Sequence, residues 1–545
     1  VAIFPDIRLA LGAAGKSKFN EKHQHRARRA PLQIRMSAKS KTRLRDSLIN
    51  PPRSCAGLFL AALTCSMITG CAVGPDFKKP AAPNVSDYSP TPLSATVTSP
   101  DVSGGEAQHF VEGGDIPADW WTLFHSKPLN DLIEQSLANN HDLKAAQAAL
   151  SVAREAALAQ RGAYYPNVTA GFSASRQQQP GSLAPVPINN SFQYDLFTPQ
   201  VSVSYAPDIF GLSRRTVESL DAQEQSARFQ MIAAHITLSA NVASAAIQEA
   251  SLEAQVDATR QLIAANADMV RILQYQLSKG YAGRLDLAAQ QAQSAQAVAA
   301  LPPLLKQLAQ QHDLLAVLAG RFPSEAPVEK FALKDLQLPQ ALPVSLPSVL
   351  VAQRPDVRQA EANMHAASAQ IGIAVANRLP NIQLTANAGS TALAIGQVFG
   401  PDTGFWSLGA ALAAPVFDGG TLMHQERGAR AAYIEASEQY RSTVLGAVQN
   451  VADTLTALEQ DAEGLKAAAA AEQAAEVTLD LSQRQYKDGY ASYLSLLSAE
   501  QSYQQARINL VLAQANRYVD TAALFQALGG GWWHRTDLNN DKHDQ

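Results

Sequence analysis

Two segments of this chain repeat one another at long range, and no other feature constrains its fold so tightly. Tyr165-Pro166-Asn167-Val168 returns as Leu379-Pro380-Asn381-Ile382. Ala206-Pro207-Asp208-Ile209-Phe210-Gly211 returns as Ala414-Pro415-Val416-Phe417-Asp418-Gly419, and Lys279-Gly280-Tyr281 as Asp488-Gly489-Tyr490. The period is about 210 residues, far longer than the unit of a solenoid. Each copy reads as a helix, two strands, a very long helix, a tight turn and another long helix.

Hydrophobic alternation marks the strands. Val168, Ala170, Phe172 and Ala174 alternate with Asn167, Thr169, Gly171 and Ser173, and Val201, Val203 and Tyr205 with Gln200, Ser202 and Ser204. The second copy offers Ile382, Leu384, Ala386 and Ala388, then Trp406, Leu408, Ala410 and Leu412. Period-two strands of about 10 residues, with polar loops at one end, fit an outer-membrane barrel. Two ordinary half-buried hairpins are the competing reading.

The helices are marked by length. Leu212 to Lys279 contains neither Gly nor Pro, which predicts a helix about 100 Å long. The run after Gly280 is expected to break at Pro302-Pro303 and resume to Leu318. In the second copy Gly428, Gly446 and Gly464 soften a helix without stopping it. Aromatics make up 7% of the chain, and Ala and Ser fill many contact positions, so the runs predict close-packed antiparallel hairpins with tips at Gly280 and Gly489. A shorter helix is expected from Leu129 to Gly162, ended by Pro166. Trp120, Trp121, Leu123 and Phe124 before it read as core.

In lipid, an open sheet edge leaves backbone groups unpaired at several kcal/mol each. Four strands cannot close a barrel, since the smallest bacterial ones have about 8. Chains must therefore pool strands. Two copies would give a barrel filled by side chains; three would give twelve strands and room for a channel. The hairpins would continue it as a periplasmic tube about 100 Å long.

All three cysteines, Cys55, Cys65 and Cys71, lie in one window, so no disulfide framework serves the rest of the chain. From Met36, a basic run (Lys39, Lys41, Arg43, Arg45, Arg53) precedes the apolar stretch Cys55 to Thr69, too short to span a membrane. It ends in Ile68-Thr69-Gly70-Cys71, which resembles a bacterial lipobox with Cys71 as the acylated first residue. A plain signal peptide with an incidental cysteine is the alternative. Acyl chains contribute about 0.8 kcal/mol per buried CH₂. Residues 1–35 carry His23, His25, Arg26, Arg28 and Arg29, and are read as a translation-start error, with Met36 the true start. Net charge is -4, and bulk electrostatics do not suggest nucleic acid. No nucleophile elbow, phosphate loop or clustered metal ligands mark an enzyme.

From Cys71 to Trp533 the sequence resembles the outer membrane factor family, the TolC-like channels, and within it the NodT-type lipoprotein branch that serves drug-efflux pumps. Carrying that resemblance are Cys71-Ala72-Val73-Gly74-Pro75-Asp76-Phe77, Trp120-Trp121-Thr122-Leu123-Phe124 and Leu301-Pro302-Pro303-Leu304 with Leu318-Ala319-Gly320-Arg321. Leu346-Pro347-Ser348, Arg354-Pro355-Asp356-Val357-Arg358-Gln359-Ala360-Glu361 and the closing Ala527-Leu528-Gly529-Gly530-Gly531-Trp532 complete it.

The resemblance implies a mainly α protein with membrane β: a homotrimer with a shared twelve-stranded barrel, an α-barrel and a mixed equatorial domain. It implies a passive outer-membrane exit duct of a tripartite efflux pump, working with a periplasmic adaptor and an inner-membrane resistance-nodulation-division transporter. Ala72 after the cysteine favours the outer membrane. The organisation expected is an extension and leader over 1–70, a Pro-rich lipidated tether over 71–118, a first repeat over 119–340 (strands about 166–206, hairpin 212–320), a second over 341–531 (strands about 380–415, hairpin 420–528) and a polar tail over 532–545.

Gate residues carry over in part. Asp286 and Tyr486 match family gate positions. The family's arginine is Ala491 here and its acidic ring falls on Ser495 and Ser498, so Leu494, Leu496 and Leu497 suggest a hydrophobic constriction instead. Gly280, Tyr281, Gly489 and Tyr490 are the expected adaptor contacts. An exit duct for type I protein secretion is the alternative function, and a non-channel coiled-coil lipoprotein a further one.

Overall fold

The computed structural model describes residues 72–89, 95–180, 192–325 and 331–538. Cys71, Met36 and the leader lie outside the described residues. Strand β1 (His109–Glu112) precedes helices α1 (Lys127–Asn139) and α2 (His141–Arg161), then β2 (Asn167–Gln179) and β3 (Phe192–Tyr205). Helices α3 (Leu212–Ser278) and α4 (Arg284–Leu318) form the first hairpin. Strand β4 (Ala341–Val344), α5 (Pro347–Gln353) and α6 (Pro355–Ala376) lead to β5 (Asn381–Ser390) and β6 (Gly404–Ala413). The second hairpin is α7 (Thr421–Lys487) and α8 (Tyr493–Ala527).

The duplication extends to helix length: α3 and α7 each have 67 residues, and α4 and α8 each have 35. An aspartate caps both long helices. Asp208 accepts from the amides of Ser213 at 3.0 Å and Arg214 at 2.9 Å. Asp418 accepts from Gly420 at 2.9 Å and Leu422 at 2.7 Å. These amides are the unpaired donors of a helix start, and they hold the Asp418 carboxyl below its usual range.

The expected helix from Leu129 to Gly162 is two helices. Asn140 separates them, because its Oδ1 accepts from the amides of Asp142 and Leu143 at 2.9 and 3.0 Å and starts α2 afresh. Conversely, Pro302 and Pro303 lie inside a continuous α4. Leu301 and Leu304, on either side, pack with Leu308 on Leu252 and Val256 of α3, so tertiary contact holds the helix through both prolines. The carbonyls freed by the missing amides belong to Val298 and Ala299, and both residues line an open cavity beside Pro302.

β2, β3, β5 and β6 form one antiparallel sheet in that order. Each repeat supplies one pair, and β3–β5 joins the repeats. A second pairing runs parallel, β1 with β4. It lies partly in the stretch read as a Pro-rich tether, and its alternation is too short to stand out in the sequence. The core sits beneath it, where Trp120, Trp121 and Phe124 are buried with α3, α7 and α8, and Trp120 stacks on Phe525 at 5.3 Å. The apolar middle of α3 (Ile232, Ile236, Val242, Ile247) is buried in this same core.

Within the polar tail expected from 532, the described part is docked as far as Leu538. Trp533 Nε1 and His534 Nε2 reach the Asp115 carboxylate at 3.0 and 2.6 Å, and Arg535 pairs with Asp119 at 2.9 Å. Gly529, Gly530 and Gly531 all take positive φ to make this return. A Cβ on Gly531 would fall 2.4 Å from the Pro117 carbonyl, so only glycine fits there.

Candidate functional site

The register of the sheet sorts its side chains. Val168 faces Val203 and Ala170 faces Val201; Val201 and Val203 in turn face Ala388 and Ala386. Ala388 then faces Trp406, Ala386 Leu408, Leu384 Ala410 and Ile382 Leu412. Directly opposed residues share a face, so Val168, Ala170, Val201, Val203, Ala386, Ala388, Trp406, Leu408 and Leu412 lie on one side. The other side carries Thr169, Ser173, Ser202, Ser204, Gln383, Thr385, Asn387 and Ser407. The apolar side is open among the described residues: Trp406, Leu408 and Leu412 are 76%, 75% and 69% exposed. Among the described residues β2 and β6 each have one unpaired edge.

The N-terminal end of the described chain is fastened where this sheet meets the helices. Ala72 lies against Gly211, where an added Cβ would come within 2.6 Å of Ala72 Cα. Val73 N donates to Phe210 O at 3.0 Å. Arg215, buried in α3, donates to Val73 O at 3.0 Å and to Asp76 Oδ1 at 2.8 Å, and pairs with Glu218 at 2.7 Å. Gly74 meets Gly372 of α6 so closely that a Cβ on Gly74 would lie 2.4 Å from Gly372 Cα. Further on, Phe77 stacks on His365 at 4.3 Å and Lys79 pairs with Glu361 at 3.4 Å. Arg215 was not distinguishable in the sequence. It stands beside Arg214 and reads as a helix-surface charge.

The two tips are copies of one another. Gly280 and Gly489 have φ of 79° and 81°. Gly280 N donates to Leu277 O at 3.0 Å and Tyr281 N to Gln276 O at 2.8 Å; Gly489 N donates to Tyr486 O at 3.1 Å and Tyr490 N to Gln485 O at 2.8 Å. This paired pattern closes a helix C-terminus with a left-handed residue. Tyr281 and Tyr490 follow, 83% and 86% exposed.

The candidate gate residues fall into two groups. Tyr486 and Leu497 join Leu273 and Tyr493 in an apolar cluster that connects the hairpins. Tyr486 donates to Gln276 Oε1 at 3.1 Å across the gap and lies edge-on to Tyr493 at 5.7 Å. Burial, with Glu500 nearby, raises the Tyr493 phenol well above its ordinary pKa. Leu494, Ser495 and Ser498 stay exposed. Of the three leucines of the expected constriction, Leu496 and Leu497 are buried within the protomer and Leu494 is exposed. Asp286 acts locally, its Oδ2 accepting from Gly283 N at 3.1 Å at the start of α4. Ser492 does the same for α8, accepting from Ser495 N at 3.2 Å.

Two further features went unread in the sequence. Arg517, fully buried, donates to Leu458 O at 3.0 Å and Glu106 O at 3.1 Å, binding the segment before β1 to the second hairpin. Nearby, Asp461 of α7 has a buried oxygen with no donor. Burial and the adjacent Asp520 of α8 push its carboxyl up to about 7.

The family model described as "Outer membrane efflux protein" matches residues 132–321 and 346–530, one block in each repeat. The probable efflux pump outer membrane protein TtgC of Pseudomonas putida is 29% identical over 490 residues, covering 89% of this chain and 98% of that protein. The pyoverdine export outer membrane protein OpmQ of the same species is 30% identical over 461 residues, covering 81% and 94%. Among solved structures, the outer-membrane channel OprN superposes with a TM-score of 0.75 at 25% identity, over 85% of this chain and all (100%) of that one. The open-state MtrE channel of Neisseria gonorrhoeae gives 0.71 at 25% identity, over 85% and 99%.

Proposed function

The chain belongs to the outer membrane efflux protein family, and from that membership we propose that three copies form the exit duct of a tripartite pump for small organic solutes. It is an outer-membrane channel with a periplasmic helical part, it carries no bond chemistry, and as a pump component it works with pump partners. The observation that carries the proposal is the sheet. One continuous apolar face and two open edges suit a segment of a lipid-embedded barrel, which has no free edge only when closed. Three copies give twelve strands, enough for an open bore.

Named relatives export toluene, antibiotics and pyoverdine. Such chemical diversity favours a passive bore, with selection made upstream by an inner-membrane transporter of the resistance-nodulation-division type. A periplasmic adaptor would meet the tips, where Tyr281 and Tyr490 offer exposed aromatic rings. Leu494, Ser495 and Ser498, on one exposed face, would narrow the bore, with Tyr486, Leu497 and Asp286 holding that end in shape. Cys71 would carry the lipid, and its neighbour Ala72 at the strand–helix boundary favours an anchor at the membrane surface.

The test is reconstitution. Purified full-length protein is expected to migrate as a heat-sensitive trimer and to conduct ions across a planar bilayer. Acyl mass on the N-terminal peptide should be present in wild type and absent in Cys71→Ala. A stable monomer without conductance overturns the duct, whereas conductance with an unmodified Cys71 overturns only the lipid.

A further inference from the structure

Between the two hairpins lies a cavity of about 160 Å³ walled by α3, α7 and α8. Its floor is about 10 Å above the tip cluster, from the helix rise between Tyr493 and Glu500. Leu262 and Ala265 of α3, Leu479 of α7 and Tyr503 and Ile508 of α8 make its surface mainly apolar. Two charged residues line it, Glu500 and Arg507. Arg507 is already engaged, its Nη1 donating to Gln261 Oε1 at 2.8 Å. Thr259 Oγ1 is also spent, donating to Gln255 O at 2.8 Å.

Glu500 has no hydrogen bond or ion pair among the described residues, and burial raises its pKa. A half-buried carboxylate in apolar surroundings is costly while it stays uncompensated. A metal ion is a poor match, because hard cations require several oxygen ligands and this cavity offers one carboxylate. The cation that an anion would need, Arg507, lies seven residues along α8 from Glu500, about 10 Å by the helix rise, so the Glu500 end of the cavity is left to a positive group. An ammonium group meets the requirement, since it brings both the opposite charge and the donors, and its carbon body would cover the leucine and alanine walls.

We propose that this cavity is a binding site for a small organic monocation with an apolar body, its ammonium on the Glu500 carboxylate and its body between Leu262, Ala265, Leu479 and Ile508. The walls come from both hairpins, so the occupant bridges them just above their tips.

Isothermal titration of the detergent-solubilised full-length protein with phenethylammonium chloride tests this, with 2-phenylethanol as the neutral counterpart. At alkaline pH the cation is expected to bind saturably. Glu500→Gln should weaken it at least tenfold while the alcohol binds both proteins alike, and acidification should weaken it in wild type as Glu500 takes up its proton. Ala265→Phe, which fills the space and leaves the charge, should remove binding of both compounds. Equal cation binding by wild type and Glu500→Gln overturns the proposal. So does retention of binding by Ala265→Phe, or the absence of saturable heat in wild type.

Discussion

Arg215 holds its charge at a position only 4% exposed because acceptors converge on it: two tether carbonyls, Asp76 and Glu218. Removing it takes the donor from the Val73 and Gly74 carbonyls, while Asp76 is 89% exposed to water and Glu218 keeps its contact with His365. Arg215→Ala should cost about 1.5–3 kcal/mol, the range for hydrogen bonds to a charged group, and should expose the tether. Limited proteolysis is the measurement, with new cleavage between 72 and 89 expected; an unchanged digest would contradict the latch. Asp461 gives a prediction of the opposite sign to the usual acidic residue. Its folded pKa, about 7, lies above the unfolded carboxyl value near 3.9. The folded state then binds more protons between those values, so stability present at low pH is lost as pH rises toward 7. Asp461→Asn should flatten that part of the melting-temperature profile and make the variant the more stable protein at about pH 8. A slope identical to wild type would refute it. Neither residue was legible in advance. Arg215 and Asp461 acquire their roles from partners brought together only by folding, Asp76 and Val73 for one and Asp520 for the other.

At the scale of elements, the sequence was legible wherever a pattern was local. The absence of Gly and Pro from Leu212 to Lys279 marked α3, and the glycine tips fell at Gly280 and Gly489. It misled where tertiary contact outweighs a breaker or a side chain makes one. Pro302-Pro303 stays helical because Leu301 and Leu304 are gripped by α3, while Asn140, an ordinary residue by composition, ends one helix and starts another. The sequence repeat also set Asp208 opposite Val416, yet the capping partner of Asp208 in the second copy is Asp418. The tips carry a prediction of their own. An added Cβ at Gly489 meets nothing within 4 Å, so the cost of Gly489→Val is backbone strain at a φ of 81°, about 1–2 kcal/mol or more for a β-branched residue. Efflux should be lost while heat-sensitive oligomers still reach the outer membrane. Drug resistance equal to wild type would count against the tips as a working surface.

At the scale of the whole molecule, the alternation in each strand was readable, but the alignment of all four strands onto one apolar face was not. That depends on the β3–β5 register, which pairs residues nearly two hundred positions apart. The β1–β4 pairing, likewise distant, went unseen for the same reason. The face predicts an asymmetry. Leu408→Arg places a cation on the lipid side at a cost of about 2–4 kcal/mol near the midplane and should reduce assembled protein in the membrane. Ser407→Arg, one residue away on the polar side, should leave assembly intact and alter single-channel conductance. Equal effects of the two on assembly would remove the distinction between the faces.

The matched hairpin lengths, 67 and 35 residues in both copies, bear on how a partner would approach. Arms of equal reach rooted at one level would end in one plane. Around a threefold axis they would present six knuckles on a level rim, alternately tipped by Tyr281 and Tyr490. A docking protein would then meet a near-sixfold footing built from a threefold object, and could grip it with twice as many identical hands as the duct has chains.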